Sequence, residues 1–411
     1  MRSESEARIE VAPEFPVLDT ARAIGALAVL TTHTAFQTGN YLGSGVWGTF
    51  LARLDVGVAI FFVLSAFLLA RPHLARAAAD RPAPDLRSYG VKRVLRIAPA
   101  YVVTAVLALV LFPKNAAEGV WQWLSSLFLL DIYTRDKLPH GLTHMWSLAV
   151  EVSFYALLPL LMVLALGRRT RAVRPRRMLL VLSVMVATSV WWHLSGTPLL
   201  DPLVRGGTGL WLPAYLSWFA VGMGLALLHV RHQAGTASAL ERRLVELGRM
   251  PGATWVLVAG LLLAVSTPLA GPVLFVAGTP SESLLKNLVY AVIGGLIVLS
   301  GVFADPGGGY GRVMSARPLR HLGRISYGIF CLHLSLISLV LWSTPYRLFG
   351  GDGLQVWVLT LVVSIAAAEV LYRVVELPAL RLGRRRGASS SQAQPATADR
   401  ESRSSTWGHT S

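Results

Sequence analysis

Three ionisable residues stand in the apolar stretch LDTARAIGALAVLTTH, Leu18–His33: Asp19, Arg22 and His33. Placing such a residue at a bilayer centre costs roughly 2.5–3.5 kcal/mol, so it ordinarily has a partner or a task. Arg22 and His33 are about three helical turns apart, which puts them on one face, roughly 16 Å apart along the axis. Asp19 lies three residues before Arg22, within pairing reach on a helix. The pattern is a polar stripe with an ion pair at one end and a lone imidazole at the other. An imidazole so placed can serve as general base or nucleophile. Equally, it can hydrogen-bond a neighbouring helix while Arg22 snorkels to the interface.

YGVKRVLRIAPAY, Tyr89–Tyr101, adds Lys92, Arg93 and Arg96. Lys92 and Arg96 are four apart and share a helix face. They suit a phosphorylated ligand, Arg especially through its planar fork, and they suit a plain positive-inside anchor as well. In HMWSLAVEVSFYALLPLL, His144–Leu161, Glu151 sits inside an otherwise apolar helix. A carboxylate there faces the protein interior, in a functional role or in a structural salt bridge. His144 and Trp146 precede it on the side to which His33 projects. His333 lies in ISYGIFCLHLSLI, Ile325–Ile337, where a satisfied polar contact is the plain alternative to catalysis. Glu376 lies in YRVVELP, Tyr372–Pro378, three residues after Arg373, the spacing of a surface ion pair.

The elements that must position these residues are membrane helices. Of 411 residues, 54% are hydrophobic and 15% charged, against about 25% charged in soluble domains. Apolar blocks long enough to span a bilayer recur near 17–37, 51–70, 97–113, 145–166, 178–195, 210–230, 253–270, 284–303, 322–343 and 353–376. The expected fold is an all-α integral membrane protein with about ten transmembrane helices and both termini cytoplasmic. In that arrangement 28 of the 38 Lys and Arg fall in cytoplasmic segments and 5 in external loops. The net charge of +16 therefore reads as topology, not as nucleic-acid binding.

Cys331 is the only cysteine, which excludes an intrachain disulfide and a thiolate cluster; no metal is expected. The chain divides into a cytoplasmic arm (1–16), a membrane domain (17–382) and a tail (383–411) whose composition predicts disorder. The first span is expected to stay in the mature chain, since its buried ionisable residues do not suit a cleaved signal peptide. The stretch from Arg71 to Arg96 reads as a basic loop broken by Pro72, Pro82 and Pro84. Trp121–Tyr133 is too short to span and is expected at the interface or re-entering. Gly167–Arg177 is a cytoplasmic stop.

Together these stretches resemble the acyltransferase 3 family of integral-membrane proteins. LDTARAIGALAVLTTH is similar to its first-helix signature, FFVLSAFLL (Phe61–Leu69) to its second-helix motif and KRVLRIAPAY to its basic third-helix entrance. HMWSLAVEVSFY, ISYGIFCLH and ELP match its later motifs, so the resemblance runs from Leu18 to Leu382. It implies transfer of an acyl group, commonly acetyl from acetyl-CoA, to a hydroxyl of a sugar, cell-envelope glycan or glycosylated metabolite. The setting it implies is a multi-pass protein of a bacterial inner or plasma membrane, with the lipid bilayer and no nucleic acid as partner. Under that resemblance His33 is the general base or acyl carrier, and Glu151 orients or charge-balances a reacting group. Arg22, Lys92, Arg93 and Arg96 bind acyl-CoA, with Lys92 and Arg96 on its phosphates and the pantetheine arm lying along the stripe from Arg22. Asp19, His144, Trp146, His333 and Glu376 support them. Three departures from the family stand out: Lys92 in place of an arginine, Ala66 in place of a glycine, and Val152-Ser153 in place of Glu-Gln. A different class uses the same residue types: a proton-coupled transporter of a small molecule needs intramembrane His, Glu and Arg as a relay. A non-catalytic partner in a membrane complex is the third option.

Overall fold

The computed structural model describes residues 13–42, 45–167, 173–204, 206–273 and 278–383. Most of the arm 1–16, the centre of the basic stop at Gly167–Arg177 and all but the first residue of the tail 383–411 lie outside the described residues. The principal helices are α1 (Pro16–Gln37), α2 (Gly57–Ala78), α3 (Leu86–Leu111), α4 (Trp146–Leu166), α5 (Pro175–Trp191) and α6 (Leu212–Gln233). They continue as α7 (Ala239–Gly248), α8 (Pro251–Val265), α9 (Pro280–Phe303), α10 (Arg317–Ser343) and α11 (Gly353–Leu371). Their starts are written locally. Pro16 opens α1, where its missing N–H costs nothing. Asp85 caps α3 by accepting the Ser88 N–H at 2.7 Å. Ser238 and Thr279 open α7 and α9 as capping boxes with Glu241 and Glu282.

The most extensive packing joins α2 to α6 and α1 to α10. Two glycines let these backbones meet. A Cβ on Gly323 of α10 would stand 2.0 Å from the Asp19 carbonyl oxygen, and one on Gly222 of α6 would stand 2.2 Å from that of Val63. Close approach through small residues is how helices associate where lipid supplies no hydrophobic drive. Gly222 also faces Ala66, so the methyl group at that departure from the family is accommodated across the contact. The periphery is apolar and outward-facing: Leu179, Leu180 and Val184 on α5, and Leu354, Val362 and Val370 on α11, are exposed.

Eight helical segments among the described residues are long and apolar enough to cross a bilayer, or nine if α7 and α8, which meet at 89°, form one bent span. The tenth expected span is α1. It has 22 residues, but its charges, imidazole and threonines leave it too polar to count on composition. It is surrounded by α2, α9, α10 and α11 instead of lipid, which is what makes its polarity tolerable. Two expected boundaries are corrected. α2 runs through Pro72 to Ala78, because Arg71 is buried and donates to His229 Nδ1 (3.1 Å) and Gln233 Oε1 (3.0 Å) on α6. α3 begins at Leu86, so Lys92, Arg93 and Arg96 project from its second and third turns and not from a loop leading into it. Between α3 and α4, Val120–Leu127 forms a short helix that exposes Trp121 and buries Ser125 and Ser126.

Candidate active site

α1 and α10 bring two imidazoles together. Nδ1 of His33 lies 2.9 Å from Nε2 of His333, and the rings stack with centroids 5.0 Å apart. His144, just before α4, sets its ring centroid 4.6 Å from that of His333 and 6.2 Å from that of His33. With the rings neutral, the main chain assigns the tautomers. Nδ1 of His333 faces the carbonyl oxygens of Phe330 (2.7 Å) and Ile329 (3.2 Å), so it carries the proton. Its Nε2 must then accept, and His33 must donate from Nδ1. The Nε2 of His33 is left with its lone pair free. His144 donates from Nε2 to the Cys331 carbonyl at 3.2 Å, and its Nδ1 is buried without a partner. His144 and His333 are buried, whereas His33 keeps some exposure. The residue with the bare Nε2 is thus the least buried of the three. Among the described residues these side chains form no group that could hold a metal ion.

Toward the other end of α1 the chemistry changes. Arg22, Arg93 and Arg96 line an inner cavity of about 120 Å³ together with Glu151, Tyr155 and Ser65. Tyr155 donates to Glu151 Oε1 at 2.5 Å and meets Ser65 Oγ at 3.0 Å. The guanidiniums of Arg93 and Arg96 lie over the rings of Tyr155 and Tyr327, 6.0 and 5.9 Å from the ring centres. Nε of Arg93 is buried without a hydrogen-bond partner, an open donor for an anion. The same three arginines, with Asp19 and Lys92, also line a mouth of about 500 Å³. Arg22 is held there by Asp19 at 2.9 Å. Phe330 divides the two regions: it lines the inner cavity, and its ring centroid is 5.2 Å from that of His144.

The chain matches the family described as acyltransferase domain across residues 15–373. It belongs to the acyltransferase 3 family. Among similar proteins, YrhL of Bacillus subtilis, provisionally named for peptidoglycan O-acetylation, is 29% identical over 381 residues, covering 89% of this chain and 54% of YrhL. The peptidoglycan O-acetyltransferase OatA of Listeria monocytogenes is 25% identical over 385 residues, 90% of this chain and 56% of OatA. The O-acetyltransferase OatA of Staphylococcus aureus is 21% identical over 392 residues, 90% of this chain and 58% of its own. The chain thus spans about half the length of the curated relatives it matches. No solved structure matches it. Membership in this family speaks against the transporter reading.

Within the family pattern the structure sorts the expected residues into two groups. His33, His144 and His333 meet. Arg22, Arg93, Arg96 and Glu151 meet elsewhere, around the inner cavity, where Glu151 accepts from Tyr155. Lys92 is exposed and reaches only the mouth, so Arg93 accompanies Arg96 inward. Trp146 packs on Tyr215, with centroids 5.0 Å apart, at the edge of a third cavity. The expected surface pair of Arg373 and Glu376 does not form. Glu376 is buried and accepts from Arg96 Nη1 at 3.4 Å, while Arg373 pairs with Glu369 at 2.5 Å. The reason is the wide π turn at Tyr372–Glu376, on which residues three apart no longer share a face. Val152 is exposed and Ser153 meets the Tyr133 hydroxyl at 2.9 Å, so neither departure from Glu-Gln touches the inner cavity. Sequence reasoning missed Tyr155, Ser65, Tyr327 and Phe330. Tyr155 had a signal, being four residues after Glu151 on one helix.

Proposed function

We propose that this chain is the membrane domain of an O-acetyltransferase that takes acetyl from acyl-CoA at its arginine end and delivers it to a hydroxyl of a cell-wall saccharide at its histidine end. One observation carries the reading: a single helix pair, α1 with α10, presents an arginine-lined cavity at one end and an imidazole with a free Nε2 at the other. The relatives named as O-acetyltransferases support the acetyl group, and the peptidoglycan named for two of them supports the saccharide. The positive-inside distribution supports a cytosolic arginine end, where acyl-CoA is found. The membrane in question is then the cell membrane.

In this mechanism Arg93 and Arg96 bind phosphate through charge-assisted hydrogen bonds, and Arg22 receives the next part of the donor. Glu151, held by Tyr155 and set among three guanidiniums, balances their charge and orders them. At the histidine end, Nε2 of His33 removes the proton from the acceptor hydroxyl as its oxygen attacks the thioester carbonyl. The carbon–sulfur bond breaks, the ester forms, and the departing thiolate takes up the proton from His33. His333 keeps Nδ1 of His33 protonated, so that Nε2 is always the basic atom.

The test is transfer from radiolabelled acetyl-CoA to peptidoglycan saccharide in membranes carrying the protein. His33→Ala should lower the rate by about 10²–10⁴, the usual contribution of a positioned general base. Unchanged transfer by a folded His33→Ala protein would contradict the reading. Acid quenching without acceptor separates the base from the carrier: label bound to His33 would mean that the ring itself carries the acyl group.

A further inference from the structure

A third cavity, of about 540 Å³, is lined by none of the three arginines of the first two and by none of the three clustered imidazoles. Its volume falls in the range of small-molecule sites, about 300–1,000 Å³. Three connections tie it to the segments that carry the imidazoles and to the arginine-lined cavity. Thr32, the residue before His33, donates to the Ala52 carbonyl at 3.1 Å, which fixes the turn Arg53–Val56 beside that level of α1. Asp55 of this turn lines the cavity. Trp146, two residues after His144, lines it from α4, and Val58 lines both this cavity and the inner one.

The lining has two faces. One is aromatic: Trp146 and Tyr215 lie with centroids 5.0 Å apart, and Tyr215 and Trp218 with centroids 4.8 Å apart. The other is polar but close to neutral. Lys286 Nζ donates to Asp55 Oδ2 at 2.7 Å, and the Tyr290 hydroxyl donates to Asp55 Oδ1. Asp55 and Lys286 keep 40% and 30% side-chain exposure, so the carboxylate retains free lone pairs and the ammonium free N–H groups. His193 donates from Nδ1 to the Ser189 carbonyl at 2.9 Å, which leaves its Nε2 as an acceptor. A paired lysine is a poor trap for a phosphate, and the carboxylate repels one. An aromatic floor beside a donor–acceptor pair fits a polyhydroxylated ring, whose C–H face packs on the aromatic side chain while its hydroxyls bond on both sides.

We infer that this cavity is the acceptor site, and that it takes a saccharide unit against Trp146 with its hydroxyls on Asp55 and Lys286. The inference rests on the transferase reading above and deepens it by assigning the second substrate. The site shares Val58 with the arginine-lined cavity and takes Trp146 from the segment that carries His144, so donor and acceptor enter by separate cavities.

The probe is a soluble oligosaccharide of alternating N-acetylglucosamine and N-acetylmuramic acid, titrated into the detergent-purified chain by calorimetry. Trp146→Ala and Lys286→Met should each weaken binding about tenfold. Ser283→Trp should abolish it: Ser283 lines the cavity from an exposed position on α9, so the indole fills the space without disturbing the core. Acetyl-CoA affinity should stay within twofold of wild type in all three, which also shows that they are folded. The site is overturned if the wild-type chain binds no oligosaccharide, or if Ser283→Trp and Lys286→Met bind it as wild type does. Either result leaves the transferase reading standing wherever acetyl transfer still requires His33, because that reading is judged by transfer and this one by binding.

Discussion

Around Arg22, α1 faces a cavity shared by three guanidiniums, a carboxylate and a half-buried phenol; around His33, three turns on, the same helix meets two more rings and the main-chain carbonyls that orient them. Charge at the first end can hold an anion, because arginine keeps its proton and its fork under all conditions. Charge at the second end would be self-defeating, since a protonated His33 has no lone pair to offer. The cluster avoids this with an uncharged device, in which each ring that needs a fixed tautomer donates to a neighbour or a carbonyl. Under the proposed function, holding and reacting become separate tasks on one helix, with Phe330 between the two ends.

Variants should therefore damage one function and spare the other. The largest effect belongs to His33→Ala, already expected to cost about 10²–10⁴ in transfer. Phe330→Trp adds bulk at the divide, inside the cavity that the arginines line, and should cut transfer by about 10²-fold, more than it weakens donor binding; binding and rate measured on one preparation check it. Arg93→Ala/Arg96→Ala should weaken acetyl-CoA binding by about 10²-fold or more, each charge-assisted hydrogen bond being worth about 1.5–3 kcal/mol. His333→Ala frees the His33 tautomer and should lower the transfer rate about tenfold. His333→Gln, whose carbonyl oxygen can accept from His33 Nδ1, should recover most of that loss in the same assay. Lys92→Ala, which removes an exposed charge at the mouth, should alter donor affinity by no more than about threefold.

What the sequence revealed depended on whether the partners were near each other along the chain. The stripe of Asp19, Arg22 and His33 was legible because a helix has one period, and the Asp19–Arg22 pair forms as that period requires. The contact between His33 and His333 crosses 300 residues, and that between Arg96 and Glu376 crosses 280. No local pattern encodes either. Helix packing alone sets them, through close approaches such as Gly323 on Asp19. Glu376 was misread for a second reason: a π turn altered the spacing on which the pairing rule depends. The early start of α3 is hidden by its charges, Arg87, Lys92, Arg93 and Arg96, and the late end of α2 by Pro72, past which the buried contacts of Arg71 carry the helix. The aromatic residues of the inner cavity stand in apolar runs where core packing already explains them, so their second role had no signature of its own.

The most direct measurement is the acetyl-CoA dissociation constant and the saccharide transfer rate, taken together, for wild type, His33→Ala and Arg93→Ala/Arg96→Ala. Two separate ends predict that His33→Ala binds acetyl-CoA within about twofold of wild type and transfers almost nothing, while the double arginine variant loses affinity by about 10²-fold or more. Loss of donor binding in a folded His33→Ala protein, or wild-type affinity in the arginine variant, would contradict the division of labour along α1.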